Sequence, residues 1–328
     1  MAVMTYRDAL NQALKEEMRR DPSVVIWGED VALYEGSFKV TRGLLSEFGE
    51  ERVKDTPISE NTIIGVAIGA AMGGLRPVAE LMTVNFALLA MDQIVNHMTK
   101  IRYMFGGKTH LSIVIRAPGG GGSQLAAQHS QSLETLFMHV PGMYIAVPAT
   151  PADAKGLLKS AIRDDNPVMF LEHELLYNSK GEVPEDPNFL VPLGSCEVKR
   201  EGKDVSIIAY SRMTVLSIQA ADELEKEGVS CEVVDMRSLS PLDMETILTS
   251  VRKTGKVVVV EECWRTCGLG AEIASRINEG CFDSLLTPVR RVSGLNVPMP
   301  YSRKLEKLCI PQVENIINAV KEVIKERY

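Results

Sequence analysis

A chain of 328 residues is too long for one small domain and suits two of ordinary size, and its 45% hydrophobic content supplies ample core. That excludes a disordered tail protein, a collagen-like repeat and a mini-scaffold stapled by disulfides. Lys and Arg number 36 against 43 Asp and Glu, a net charge of −7 with no basic block, so nucleic acid and anionic membrane surfaces are poor partners.

The first twenty residues carry Arg7, Glu16 and Glu17 on an amphipathic pattern, not a signal peptide. Residues 5–20 set Ala9, Leu10, Ala13, Leu14 and Met18 on one stripe, predicting a helix closed by Asp21-Pro22. Residues 24–27 read as a strand ending in Gly28-Glu29-Asp30. A helix over 63–74 follows, broken by Gly65 and Gly69 and too short to span a bilayer. A strand over 77–81 leads to a long helix over 86–104. Residues 111–115 read as a strand running into a loop over 116–122 that ends in four consecutive glycines. Strands over 143–147 and 168–171 flank a helix over 151–163. Residues 177–204, with three prolines, Gly181, Gly194 and mixed charges, read as an interdomain connection. Beyond it lie strands over 205–210, 231–234, 257–260 and 289–292, with helices over 214–227, 242–252, 270–280 and 313–327. Buried β runs separated by helices predict mainly parallel, doubly wound sheets. The expected fold is α/β with two such domains, over 1–176 and 205–328.

The common self-contained chemistries are missing. Gly268-Leu269-Gly270-Ala271-Glu272-Ile273 has Ile273 where a dinucleotide fingerprint needs its third glycine, and no Walker sequence is present. Five histidines form no HExxH pair, Cys263 and Cys267 lack a nearby histidine, and no GxSxG elbow exists. The six cysteines are scattered without a CxxC pair, as in a cytoplasmic protein or a processed organelle protein.

Three stretches remain. Asp55-Thr56-Pro57-Ile58-Ser59-Glu60-Asn61 places Ser59 as an N-cap and Glu60 in the first helical turn, where it could do no more than complement the helix dipole. Gly65, Gly69 and Gly73 behind it form a bare stripe that would let another helix approach closely. His129, between Gln128 and Ser130 just past the glycine loop, is a candidate acid/base, or a surface histidine bonded to Ser130 or backbone. Thr83-Val84-Asn85-Phe86 joins strand to helix, and Phe86 read alone is ordinary core.

Together these stretches resemble the beta subunits of thiamine-diphosphate-dependent 2-oxoacid dehydrogenases, nearest to the members acting on pyruvate. The likeness runs from Tyr6-Arg7-Asp8-Ala9-Leu10 and Gly28-Glu29-Asp30-Val31 through the terminal domain. Its most specific parts are residues 55–60, Ala126-Ala127-Gln128-His129-Ser130-Gln131, and Ser160-Ala161-Ile162-Arg163-Asp164-Asp165-Asn166-Pro167. The resemblance implies a pyrimidine-binding domain followed by a transketolase C-terminal-like domain. It also implies an α2β2 heterotetramer in which the alpha subunit holds the diphosphate and magnesium through a Gly-Asp-Gly pattern absent here. By the same likeness, Glu60 faces the ring nitrogen of the cofactor's aminopyrimidine and favours its imino tautomer. Phe86 stacks on that ring. His129 serves transfer of the acyl group to a lipoyl group on a dihydrolipoyl acetyltransferase core. Ile113, Ala161, Ile162, Asp164 and Asn166 match a structural potassium site in relatives, though an ordinary helix C-terminus would account for them as well. Beta subunits of branched-chain 2-oxoacid or acetoin dehydrogenases are the neighbouring alternatives. A self-sufficient transketolase-like enzyme would need a further domain, and a non-catalytic assembly subunit would need neither Glu60 nor His129.

Overall fold

Short apolar runs alternating with amphipathic helices build two α/β units in the computed structural model, which describes residues 1–325. The first unit comprises Met1–Gly119 and Leu136–Leu193; the second takes Gly120–Thr135 and the chain from Gly194 onward.

The first unit opens with β1 (Ala2–Thr5) and α1 (Tyr6–Arg20). Thr5 caps that helix, its hydroxyl accepting from the Asp8 N–H at 3.1 Å. Then come β2 (Val24–Gly28), α2 (Leu44–Phe48), β3 (Val53–Asp55), α3 (Glu60–Met72), β4 (Arg76–Glu80), α4 (Ile101–Met104) and β5 (Val114–Gly119). A short helix α5 (Glu134–Met138) spans the boundary at Thr135/Leu136, and β6 (Tyr144–Ala146), α6 (Pro151–Arg163), β7 (Val168–His173) and β8 (Lys180–Val183) complete the unit. Within it the strands run β6-β7-β5-β4-β2-β3, every neighbouring pair parallel. The predicted stripe of α1 is buried and packs on α6. A polar seam accompanies it: Glu17 is fully buried against Arg163 (2.7 Å), and the buried Lys155 and Lys159 reach Glu16 at 2.9 and 2.5 Å.

Three expectations differ from the structure here. Residues 86–104 are not one α-helix but a 3₁₀ segment over Val84–Ala90, a π-helical stretch over Gln93–Met98 and α4. The break has a physical cause, since the Thr99 N–H donates to the Ile94 carbonyl five residues back (3.2 Å) and its hydroxyl to Val95. The strand expected over 111–115 starts at Val114 and continues through Arg116-Ala117-Pro118 to Gly119, because both its edges are paired, with β4 and with β7. Residues 177–204 carry β8, antiparallel to β1, and β9 (Glu197–Arg200), antiparallel to the strand Cys231–Asp235, with the division between units at Leu193/Gly194.

The second unit continues with β10 (Val205–Ala209), α7 (Ser211–Glu225), β11 (Cys231–Asp235), β12 (Ser238–Ser240), α8 (Met244–Thr254), β13 (Val257–Trp264), α9 (Leu269–Cys281), β14 (Arg290–Gly294), α10 (Arg303–Cys309) and α11 (Val313–Lys325). Its sheet runs β14-β13-β10-β11-β9, parallel except for β9. Val205, Ile207, Val233, Val258 and Val260 meet Ile316, Val320 and Val323 of α11 in one core. The expected extension of the last helix to Arg327 lies outside the described residues. Among those residues no helix is long and apolar enough to cross a membrane.

Candidate active site

In parallel sheets ligands gather beyond the carboxyl ends of the strands. The first unit places Glu29 directly after β2, Glu60 after β3 and Phe86 after β4, and β3, β2 and β4 are neighbours. Close packing fixes this edge. A Cβ on Gly28 would lie 2.4 Å from the Glu80 carbonyl, so the β2 turn passes hard against β4. The Asp55 carboxylate accepts from the Ala32 and Leu33 N–H groups (2.7 and 3.1 Å), tying the loop after β2 to the end of β3. The Trp27 indole donates to the Ile63 carbonyl at 3.1 Å and pins α3 against β2.

Glu60 is the first residue of α3, as the sequence predicts, and it is only 5% exposed. Ser59 stands at the N-cap, but its hydroxyl donates to Thr62 Oγ1 (2.8 Å) instead of capping the backbone. Among the described residues the Glu60 carboxylate has no hydrogen-bond or ion-pair partner. What faces it is another carboxylate: burial, then Glu60, then Asp30 push the Glu29 carboxyl above its usual range. In the sequence Glu29 marks the end of a strand and part of the family stretch, with no role of its own. Phe86 lies half-buried in the 3₁₀ segment that packs against α3. Its entry turn is set by Thr83 Oγ1, which accepts from the Asn85 amide side chain at 2.7 Å.

Beneath the same edge lies a network that the sequence did not reveal. Arg116, 1% exposed, donates to both oxygens of Glu172 (2.7 and 2.8 Å) and to Glu80, and the Tyr177 hydroxyl donates to Glu172 at 2.6 Å. Burial opposes the guanidinium charge, but Glu172 and Glu80 outweigh it and hold Arg116 charged. Burial pushes the Glu80 carboxyl up despite Arg116 beside it. The only sequence signal was one charged residue within each of three apolar runs, Glu80 and Arg116 in register and Glu172 two places further on, and Arg116 falls where a loop was expected.

His129 belongs to the second unit and is half-buried. Its loop closes through the Gly120 N–H to the Gln131 carbonyl and the His129 N–H to the Ala126 carbonyl, both 3.4 Å. Gly120, Gly122, Gln124 and Ala126 all take positive φ, which is why glycines crowd the sequence here. The bond to Ser130 weighed from sequence is not made, since Ser130 Oγ is buried without a partner.

The five residues matched to a potassium site sit around the end of α6. Ala161 and Ile162 lie in its last turn, Asp164 is its C-cap, and the Ile113 carbonyl accepts from the Val168 N–H at 2.8 Å. Arg76 donates to the Ile162 and Asp164 carbonyls (3.0 and 3.1 Å), and Asn166 donates to Asp164 Oδ1 and accepts from Arg102. A cation here would share two carbonyls with a guanidinium, which weakens the fit. The glycine stripe shows one close neighbour only: Gly65 faces Gln93, Gly69 meets nothing within 4 Å, and Gly73 is the C-cap of α3.

Comparison with known proteins finds two domain families along the chain. A family model described as transketolase, pyrimidine binding domain covers residues 2–180, and one described as transketolase, C-terminal domain covers residues 194–316. The pyruvate dehydrogenase E1 component subunit beta of Rhizobium meliloti (strain 1021) is 48% identical over 98% of this chain and 70% of its own length. That of Gracilaria tenuistipitata var. liui is 51% identical over 97% of this chain and 98% of its own. A solved structure titled split gene transketolase, inactive beta4 tetramer superposes with a TM-score of 0.81 at 28% identity, covering 99% of this chain and 100% of the other.

Proposed function

Because the chain belongs to the family of pyruvate dehydrogenase E1 component beta subunits, we propose that it supplies the pyrimidine-side half of a thiamine diphosphate site that decarboxylates pyruvate oxidatively. The observation that carries this reading is the Glu60 carboxylate, 5% exposed at the carboxyl edge of a parallel sheet and without a partner among the described residues. A scaffold would have no reason to keep a carboxylate there. An aminopyrimidine ring nitrogen is a fitting partner, and when bound the cofactor supplies the electron sink that lets carbon dioxide leave a 2-oxoacid.

Glu60 would hold the proton at that ring nitrogen. Phe86 would stack on the ring, and the surrounding burial would exclude water that competes for the hydrogen bond. His129 would give a proton to the leaving sulfur as the dithiolane of a lipoyl group opens. The acceptor is a lipoyl group on a dihydrolipoyl acetyltransferase, so that the whole complex yields acetyl-CoA and CO2.

The diphosphate and its magnesium belong, in this proposal, to an alpha subunit in an α2β2 heterotetramer. Absence of a Gly-Asp-Gly pattern supports it, and so does the similar split-gene transketolase, whose beta chains form an inactive beta4 tetramer. Ile58 at 82% exposure, with the exposed Val66 and Leu75 lining a cavity of about 540 Å³ together with Trp27, Thr56 and Ile63, gives a partner an apolar surface to cover. A structural potassium ion near Asp164 would share the Ile162 and Asp164 carbonyls with Arg76. Six free cysteines fit the reducing cytoplasm of a bacterium, and an organelle matrix equally.

The test is turnover of the complex reconstituted with its alpha subunit on a panel of 2-oxoacids and acetoin. Pyruvate should lead branched-chain 2-oxoacids and acetoin by at least about tenfold in kcat/KM. A branched-chain acid or acetoin in the lead would overturn the substrate assignment.

A further inference from the structure

Successive backbone N–H groups in a turn of alternating φ sign form a concave, electropositive nest of the kind that receives anions. The loop carrying His129 builds one, with Gly120 at φ 86°, Gly122 at φ 108° and Gln124 at φ 59°. Here the chain fills the nest itself. Glu306 of α10, 2% exposed, accepts from the Gly122 N–H at 3.0 Å and from the Gln124 N–H at 3.1 and 3.2 Å. Glu262 of β13 accepts from the Gly121 N–H at 2.7 Å and from the Ser132 hydroxyl at 3.2 Å. Packing closes the same seat: a Cβ on Gly121 would lie 2.7 Å from Ile310 Cδ1 and 2.9 Å from Met299 Cε, side chains flanking Glu306 in sequence.

We propose that Glu306 is a positioning residue for the His129 loop, its carboxylate holding the amides of Gly122 and Gln124 so that the turn from Ala126 to His129 keeps one geometry. This rests on the proposed role of His129 in transfer to the lipoyl group. Charge-assisted bonds to buried amides are the strong ones, and losing them frees a loop whose positive-φ residues offer many alternative conformations. The effect should therefore fall on the transfer step that uses His129, not on decarboxylation.

The test uses the complex reconstituted with its alpha subunit, carrying Glu306→Gln or Glu306→Ala. Amide exchange of residues 119–131 should quicken about tenfold in Glu306→Gln and further in Glu306→Ala, which keeps no acceptor. Acetylation of a lipoylated acceptor domain should fall about tenfold, while pyruvate decarboxylation with an artificial oxidant stays within about twofold. Unchanged loop exchange would overturn the proposal, as would parallel loss of both reactions with the tetramer intact. Glu306→Gln keeps the side-chain shape, so misfolding of Glu306→Ala would leave the test standing. A His129→Ala complex with normal lipoyl acetylation would sink the role of His129 alone; the exchange measurement would still decide whether Glu306 holds the loop.

Discussion

Replacing Glu134 with glutamine should make the protein's stability less sensitive to pH above the ordinary carboxylate range. The Glu134 Oε2 is sealed from solvent and has no partner. Burial first, then the charges of Glu262 and Glu261, push this carboxyl up from its usual 4.5 to about 8. The folded protein thus keeps a proton that the unfolded chain has already released. The resulting stabilisation is full below the unfolded value and is lost as pH rises through the folded one. At roughly 1.4 kcal/mol per pH unit the loss across that interval is at most about 5 kcal/mol. Even half of that would shift melting by several degrees in a unit of this size. Glutamine has nearly the shape of the protonated acid and no charge to bury. Melting temperatures of both proteins at about pH 5, 6.5 and 8, at fixed ionic strength, give the answer. The variant should match the wild type at the acid end and gain on it steadily toward pH 8. A gap that does not change with pH would refute the reasoning.

Glu60→Gln, which cannot carry the proton at the ring nitrogen, should lower pyruvate decarboxylation at least about a hundredfold with the tetramer intact; retained turnover would remove Glu60 from its role. Arg116→Met strands the carboxylates of Glu80 and Glu172 and should cost about 3–5 kcal/mol of stability at neutral pH. The loss should shrink as pH falls, because burial favours the protonated form of the Glu80 carboxyl in the fold. Denaturant unfolding at neutral and at lower pH checks both the size and the sign.

Much of the fold was legible because its strands are buried on both faces. Runs such as 257–260, four valines, and 205–210, apolar but for Ser206, stand out, and the helices between them carry clean apolar stripes, so period alone identifies both. The region 86–104 was not legible, since 3₁₀, α and π turns share nearly the same apolar spacing and are told apart by single hydrogen bonds such as Thr99 to Ile94. In the site, Glu60 could be found by its place after a cap residue. The facing of Glu29 and Glu60, the Arg116 network and the seating of Gly122 on Glu306 join residues 31 to 184 positions apart. Such pairings depend on sheet order and leave no local pattern.

Calorimetric titration of thiamine diphosphate with magnesium into the purified chain, alone and together with its alpha subunit, tests the half-site most directly. The account predicts no measurable binding to the lone chain and tight binding to the reconstituted complex, where Phe86→Ala should weaken it. Tight binding by the chain alone would contradict the account, because the diphosphate side of the site would then lie within these 328 residues.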